Sequence, residues 1–156
     1  MRYSIDTSAI IEGWRRLYPP DVFPAVWDHL DELIDEGNLR ATEEVLKELE
    51  KKDDEVHAWA KSRPDLFVKI DEEIQNCVIS LLKDHKKLID TRAGRSGADP
   101  FVIALAKIRN STVVTEEHKS NSPLRRPHIP DVCAAQGVAW ISLLQLLRQE
   151  GWVFRG

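Results

Sequence analysis

Asp6 is followed by Thr7 and Ser8, and an aspartate beside two hydroxyls is hard-oxygen chemistry suited to Mg²⁺ or Mn²⁺. In an open α/β sheet, ligands sit outside the carboxyl ends of the strands. The stretch Met1 to Ile5, with Met1, Tyr3 and Ile5 apolar in alternation, reads as a short strand ending at that rim. The plainer reading makes Asp6 or Thr7 the N-cap of a helix over Ser8 to Arg16. What separates the two is whether other carboxylates arrive at the same place.

Four more acids stand at element boundaries. Glu48 lies on a helix after a brief extended piece, Leu39 to Ala41, and Asp99 opens a helix over Pro100 to Arg109. Glu117 comes two residues past a strand over Thr112 to Thr115, and Asp131 precedes a short helix ending at Gln136. Each has an ordinary explanation. Asp99 before Pro100 is a good cap with proline at the first helical position. Glu44 and Glu48 share a helical face, where Glu48 pairs equally well with Lys51 or Lys52. Asp131 after Ile129-Pro130 reads as another cap, and Glu116 and Glu117 as loop acids.

The elements that must position these groups follow from periodicity. Val22, Phe23, Val26, Trp27, Leu30, Leu33 and Ile34 recur at helical spacing, predicting a helix over Asp21 to Glu36. Thr42 then caps a helix whose inward stripe is Val45, Leu46 and Leu49, with a break at Asp53-Asp54. Glu55 to Ser62 and Asp71 to Lys87 are further helices, the second ending in a basic run that suits a helix C-terminus. Ile89 to Ala98 reads as a loop, and Pro100 to Arg109 has the near-uniform apolar character of a helix laid on a sheet. Thr112-Val113-Val114-Thr115 is the clearest β-branched strand. Glu116 to Pro130 is polar, with at most a short strand near His128-Ile129. A last strand over Val138 to Ile141 precedes a helix over Leu143 to Gln149, capped by Ser142. Strands alternating with helices imply an α/β domain with a mostly parallel sheet flanked by helices, spanning residues 1–156.

Composition bounds the function classes. A chain of 156 residues with 42% hydrophobic and 31% charged residues is globular rather than disordered. No apolar run approaches the ~20 residues of a membrane span, and the N-terminus does not resemble a signal peptide, so a cytoplasmic protein is expected. Cys77 and Cys133 lack a C-x-x-C partner and read as reduced thiols. A net charge of −4 excludes a general nucleic-acid coating protein. It does not exclude a metal-dependent nuclease, whose clustered carboxylates lower the net charge until cations bind.

The pieces Ser4-Ile5-Asp6-Thr7-Ser8, Val45-Leu46-Lys47-Glu48-Leu49, Gly97 to Ala104 with Ala106, and Val113-Val114-Thr115-Glu116-Glu117 occur in an order that resembles the PIN domain. That family of metal-dependent ribonucleases includes many toxins of bacterial toxin–antitoxin pairs. The chain most resembles a subfamily with an Ile-Pro-Asp-Val-Cys segment, here Ile129 to Cys133. The resemblance implies a PIN-like fold and an acidic pocket of Asp6, Glu48, Asp99 and Glu117 as metal ligands, with Ser8 and Thr115 as supporting hydroxyls. It implies Mg²⁺ or Mn²⁺ as cofactor, RNA as substrate and an antitoxin protein as partner, and it is compatible with a homodimer. Two features depart from the pattern: Glu117 stands where the family usually has aspartate, and Glu44 competes with Glu48 one turn away.

Arg92 and Arg95 before Asp99, and Lys119, Arg125 and Arg126 after the strand, are the candidate phosphate contacts. Ordinary solvated loop charges explain them equally well. The competing readings are a PIN-like module that binds RNA or protein without cutting, and a phosphohydrolase with Asp6 as nucleophile. The second ranks last, because that chemistry usually wants an acid two residues on, where Ser8 stands.

Overall fold

A computed structural model describes residues 1–88, 97–120 and 127–155. Five strands, β1 (Tyr3–Ile5), β2 (Leu39–Thr42), β3 (Phe67–Val68), β4 (Thr112–Val114) and β5 (Trp140–Ile141), form one sheet in the order β3-β2-β1-β4-β5. Every neighbouring pair is parallel. The order runs outward from β1 in both directions, so β1 and β4 flank the switch point where such sheets open a crevice at the carboxyl ends of their strands.

Tyr3, Ser4 and Ile5 are all buried, so the alternation expected of the first strand does not separate an inside from an outside. A central parallel strand is covered by helices on both faces, and burial then ceases to alternate. The Ser4 hydroxyl is satisfied by donating to the Val102 carbonyl at 2.9 Å. That bond ties β1 to α6 (Asp99–Arg109), which packs across β1 and β2.

The other helices are α1 (Thr7–Glu12), α2 (Pro24–Asp35), α3 (Glu43–Lys52), α4 (Asp54–Lys61), α5 (Glu72–Asp84), α7 (Ile129–Gln136) and α8 (Leu143–Gln149). α1 continues into a π-helical turn, Gly13–Leu17. A Cβ at Gly13 would stand 2.8 Å from Leu143 Cδ2, so a larger residue here would have to displace that side chain of α8. α2 starts at Pro24 rather than Asp21, because residues 19–23 are taken up in turns. α5 stops at Asp84, which leaves only Lys83 of the expected basic run in its last turn.

One further expectation fails, and one strand stands where none is expected. The short strand near His128-Ile129 is instead the start of α7, with His128 at the cap position and Asp131 third in the helix. The two-residue strand β3, after a 3₁₀ turn at Pro64–Leu66, was not anticipated. A single core of buried apolar residues runs through the sheet and its helices, from Tyr3 to Leu147. Among the described residues, no helix is long and apolar enough to cross a membrane.

Candidate active site

The register of β1 on β4 brings the two strand ends together. Ile5 pairs with Val114, and the Asp6 amide donates to the Val114 carbonyl at 3.0 Å. The next residue of each strand, Asp6 and Thr115, therefore meets side chain to side chain. Thr115 Oγ1 donates to Asp6 Oδ2 at 2.5 Å. Ser8 Oγ lies 2.9 and 2.8 Å from the two Asp6 oxygens and accepts the Glu116 amide at 3.1 Å. Asp6 also caps α1, Oδ1 accepting the Ala9 amide at 2.7 Å. The capping and site readings of Asp6 are thus compatible: one oxygen holds the helix, and both face the hydroxyl pair.

Asp6 is 2% exposed. Burial pushes its carboxyl up to about 8; the bonds from Thr115, Ala9 and Ser8 oppose that shift, and the negative charge of Glu117 adds to it. A buried carboxylate prefers a compensating cation. Among the described residues, no Lys or Arg forms an ion pair with Asp6 or Glu48.

Glu48 reaches the same region through α3, which packs on α1. Its Oε1 accepts from Thr7 Oγ1 at 2.5 Å, while Oε2 is buried with no hydrogen-bond partner among the described residues. Glu44, its rival, instead pairs with Lys47 at 3.0 Å near the surface. Asp99 is 6% exposed and is the first residue of α6, not its cap: that position falls on Ala98. Helix capping therefore does not explain a buried carboxylate there.

The two glutamates after β4 diverge. Glu116 Oε1 accepts the Leu143 amide at 3.1 Å, at the start of α8, whereas Glu117 lies close enough to raise the Asp6 and Cys133 pKa values. If the acids hold a cation, as the resemblance implies, Glu117→Gln is expected to weaken Mn²⁺ binding about 10-fold, with little loss of stability. Glu116→Gln should leave Mn²⁺ affinity unchanged and stability nearly so, because the glutamine oxygen still accepts the Leu143 amide. Calorimetric Mn²⁺ titration and urea unfolding read the two effects.

Two other expectations change. Asp131 was read as an N-cap; it is third in α7, its Oδ2 accepting the His128 amide at 2.8 Å and the Ser120 amide at 3.0 Å. Thr42 precedes α3 but makes no side-chain cap bond, and its buried hydroxyl has no partner among the described residues. Lys119 rests over the Trp140 ring, 5.5 Å from its centroid. Arg92, Arg95, Arg125 and Arg126 lie outside the described residues. Sequence reasoning missed the Thr7 bond to Glu48 and the unpartnered Thr42 hydroxyl. Cys133 is the buried, free thiol the sequence suggests, but its nearness to the acids is not legible there: burial pushes it up to about 12, with Asp6 and Glu117 adding to the shift.

Among the described residues, no three His, Cys, Asp or Glu side chains are drawn together as a ready coordination sphere. Mg²⁺ fits such a sparse set better than a closed cage does, since it keeps several waters and takes one or two carboxylates. The acidic and hydroxyl donors match hard cations, and the orphaned Glu48 oxygen leaves room for a ligand contact.

A family model described as "Domain of unknown function (DUF4411)" matches residues 3–154. Compared with curated proteins, the sequence matches none. Among solved structures, the chain is similar to VapBC-1 from nontypeable Haemophilus influenzae, with TM-score 0.56 and 14% identity over 92% of this chain and 99% of that one. It is similar to FitAcB from Neisseria gonorrhoeae, with TM-score 0.54 and 19% identity over 91% and 98%. PAE2754 from Pyrobaculum aerophilum gives TM-score 0.50 and 15% identity over 97% of each chain. At these identities the likeness is one of fold, and the fold is PIN-like.

Proposed function

The chain belongs to the DUF4411 family of domains of unknown function, and on that premise we propose that it is a divalent-metal-dependent ribonuclease, the toxin of a toxin–antitoxin pair. The observation that carries this reading is Asp6: a buried carboxylate at the switch point of a parallel sheet, held by neutral donors and within reach of the Glu117 charge. The likeness of fold to VapBC-1 and FitAcB supports the toxin half of the reading.

Asp6 and Asp99 would hold the principal Mg²⁺ or Mn²⁺, and Glu48 and Glu117 a second ion or its waters. When bound, the metal supplies Lewis acidity, lowering the pKa of an attacking water and stabilising charge on the departing oxygen. The chain's own part is orientation. Thr115 and Ser8 fix the Asp6 carboxylate plane, and Thr7 fixes one Glu48 oxygen so that the other is presented. Burial of Asp6 keeps bulk water from competing for its oxygens.

Purified protein is expected to cleave RNA with Mn²⁺ or Mg²⁺ and to stop when EDTA is added. Intact RNA after prolonged incubation with Mn²⁺, under conditions where Mn²⁺ binding is verified, would leave a non-catalytic binding module as the better reading.

A further inference from the structure

We propose that His128 is a positioning residue for the acidic site, fixing the segment that carries Glu117. This rests on the nuclease reading above and assigns a task to the segment around Ile129 to Cys133, which the metal ligands themselves leave unexplained. Residues 116–120 have no regular secondary structure, yet they are held by discrete bonds. The Glu116 amide donates to Ser8 Oγ and the Glu117 amide to Thr115 Oγ1, at 3.1 and 3.0 Å. His128, the cap residue of α7, and Asp131 within that helix hold the far half. His128 Nδ1 lies 2.7 Å from the His118 carbonyl, and Asp131 Oδ2 accepts the Ser120 amide at 3.0 Å.

The chemistry of the His128 contact fixes its proton. A carbonyl oxygen only accepts, so Nδ1 must carry the hydrogen. Neutral His128 is therefore the Nδ1–H tautomer, and the imidazolium donates from the same atom. The Asp131 carboxylate in turn takes the His128 amide at 2.8 Å, which seats the residue at the start of α7. The clamp adds, on the far side of Glu117, to the two near-side ties, the Glu117 amide on Thr115 Oγ1 and the ladder of β4. Glu117 stands close enough for its charge to act on Asp6, so the backbone that carries it sets how closely the two acids can share a cation.

His128→Phe keeps a ring and loses the donor; His128→Ala loses both. Each is expected to weaken Mn²⁺ binding about 10-fold or more, in the range typical of outer groups that orient ligands. His128→Asn, whose amide nitrogen occupies nearly the position of Nδ1, should recover most of the affinity. In a Glu117→Gln background the His128 substitutions should add little, since they act through Glu117. Amide hydrogen exchange should accelerate across residues 116–120 in the Phe and Ala variants and stay unchanged elsewhere. Unchanged exchange there, full additivity with Glu117→Gln, or an Asn variant no better than Phe would overturn the assignment. Failure of the nuclease reading looks different: the wild-type protein takes up no Mn²⁺, while exchange still reports the clamp.

Discussion

Asp6→Asn is expected to lower metal-dependent RNA cleavage by at least about 10³-fold, the upper range for removing one preorganised polar group from a reaction centre. The fold should survive, because the asparagine oxygen can still accept the Ala9 amide and the Ser8 and Thr115 hydroxyls can reverse their donor roles. Metal-free stability should rise by on the order of 1–3 kcal/mol, since a buried group that resists ionisation has been replaced by a neutral one. The sign with pH follows from the folded-state carboxyl standing at about 8 against an ordinary 3.8. Between those values the folded protein retains a proton that the unfolded chain has released. The Asp6 contribution is therefore complete below the lower value and is lost as pH rises through the higher one. Urea unfolding of the metal-free protein across that window should show a declining component that Asp6→Asn removes and that Mn²⁺ reverses. In cells, wild-type protein expressed without a partner should arrest growth, and Asp6→Asn should relieve it. Harmless high-level expression of a protein that cleaves RNA in vitro would count against the toxin role, and wild-type cleavage rates in Asp6→Asn would sink the ligand assignment.

The second large effect belongs to Asp99. Asp99→Asn should reduce cleavage roughly 10²- to 10³-fold and change stability little, because the cap position of α6 belongs to Ala98. A capping aspartate behaves the other way, losing ~1 kcal/mol of stability with activity intact. Thermal unfolding and cleavage rates measured on one preparation separate the two. A destabilised but fully active Asp99→Asn would return this residue to a purely structural role.

The parts of the fold legible in the sequence are those with a strong local signal. The β-branched run at Thr112 to Val114 and the apolar α6 stand where periodicity places them. β3 was invisible because two residues cannot show a period, and its pairing with β2 is a tertiary matter. The start of α7 was misread because the residue before a proline favours extended backbone, which made Ile129 look strand-like. There Pro130 sits in the first turn, where its missing N–H costs nothing. At the site, residue types were readable and proximity was not. That Ser8 and Thr115 share one carboxylate follows from the register of β1 on β4, which no local spacing encodes. The choice between Glu116 and Glu117 rested on family spacing. What tells them apart physically is that Glu116 bonds the amide of Leu143, a residue 27 positions away.

The bond from Thr115 to Asp6 joins residues 109 apart. During synthesis, Asp6 is made 109 residues before its partner exists. Strand β1 cannot be completed earlier either, because one of its two neighbours is β4. A nascent chain therefore carries Asp6 without its pocket, and on the nuclease reading the machinery translating it meets no finished site until β4 has been made. On that reading, truncated products lacking β4 are expected to be inert, and an interrupted message to yield fragments that do not cleave RNA.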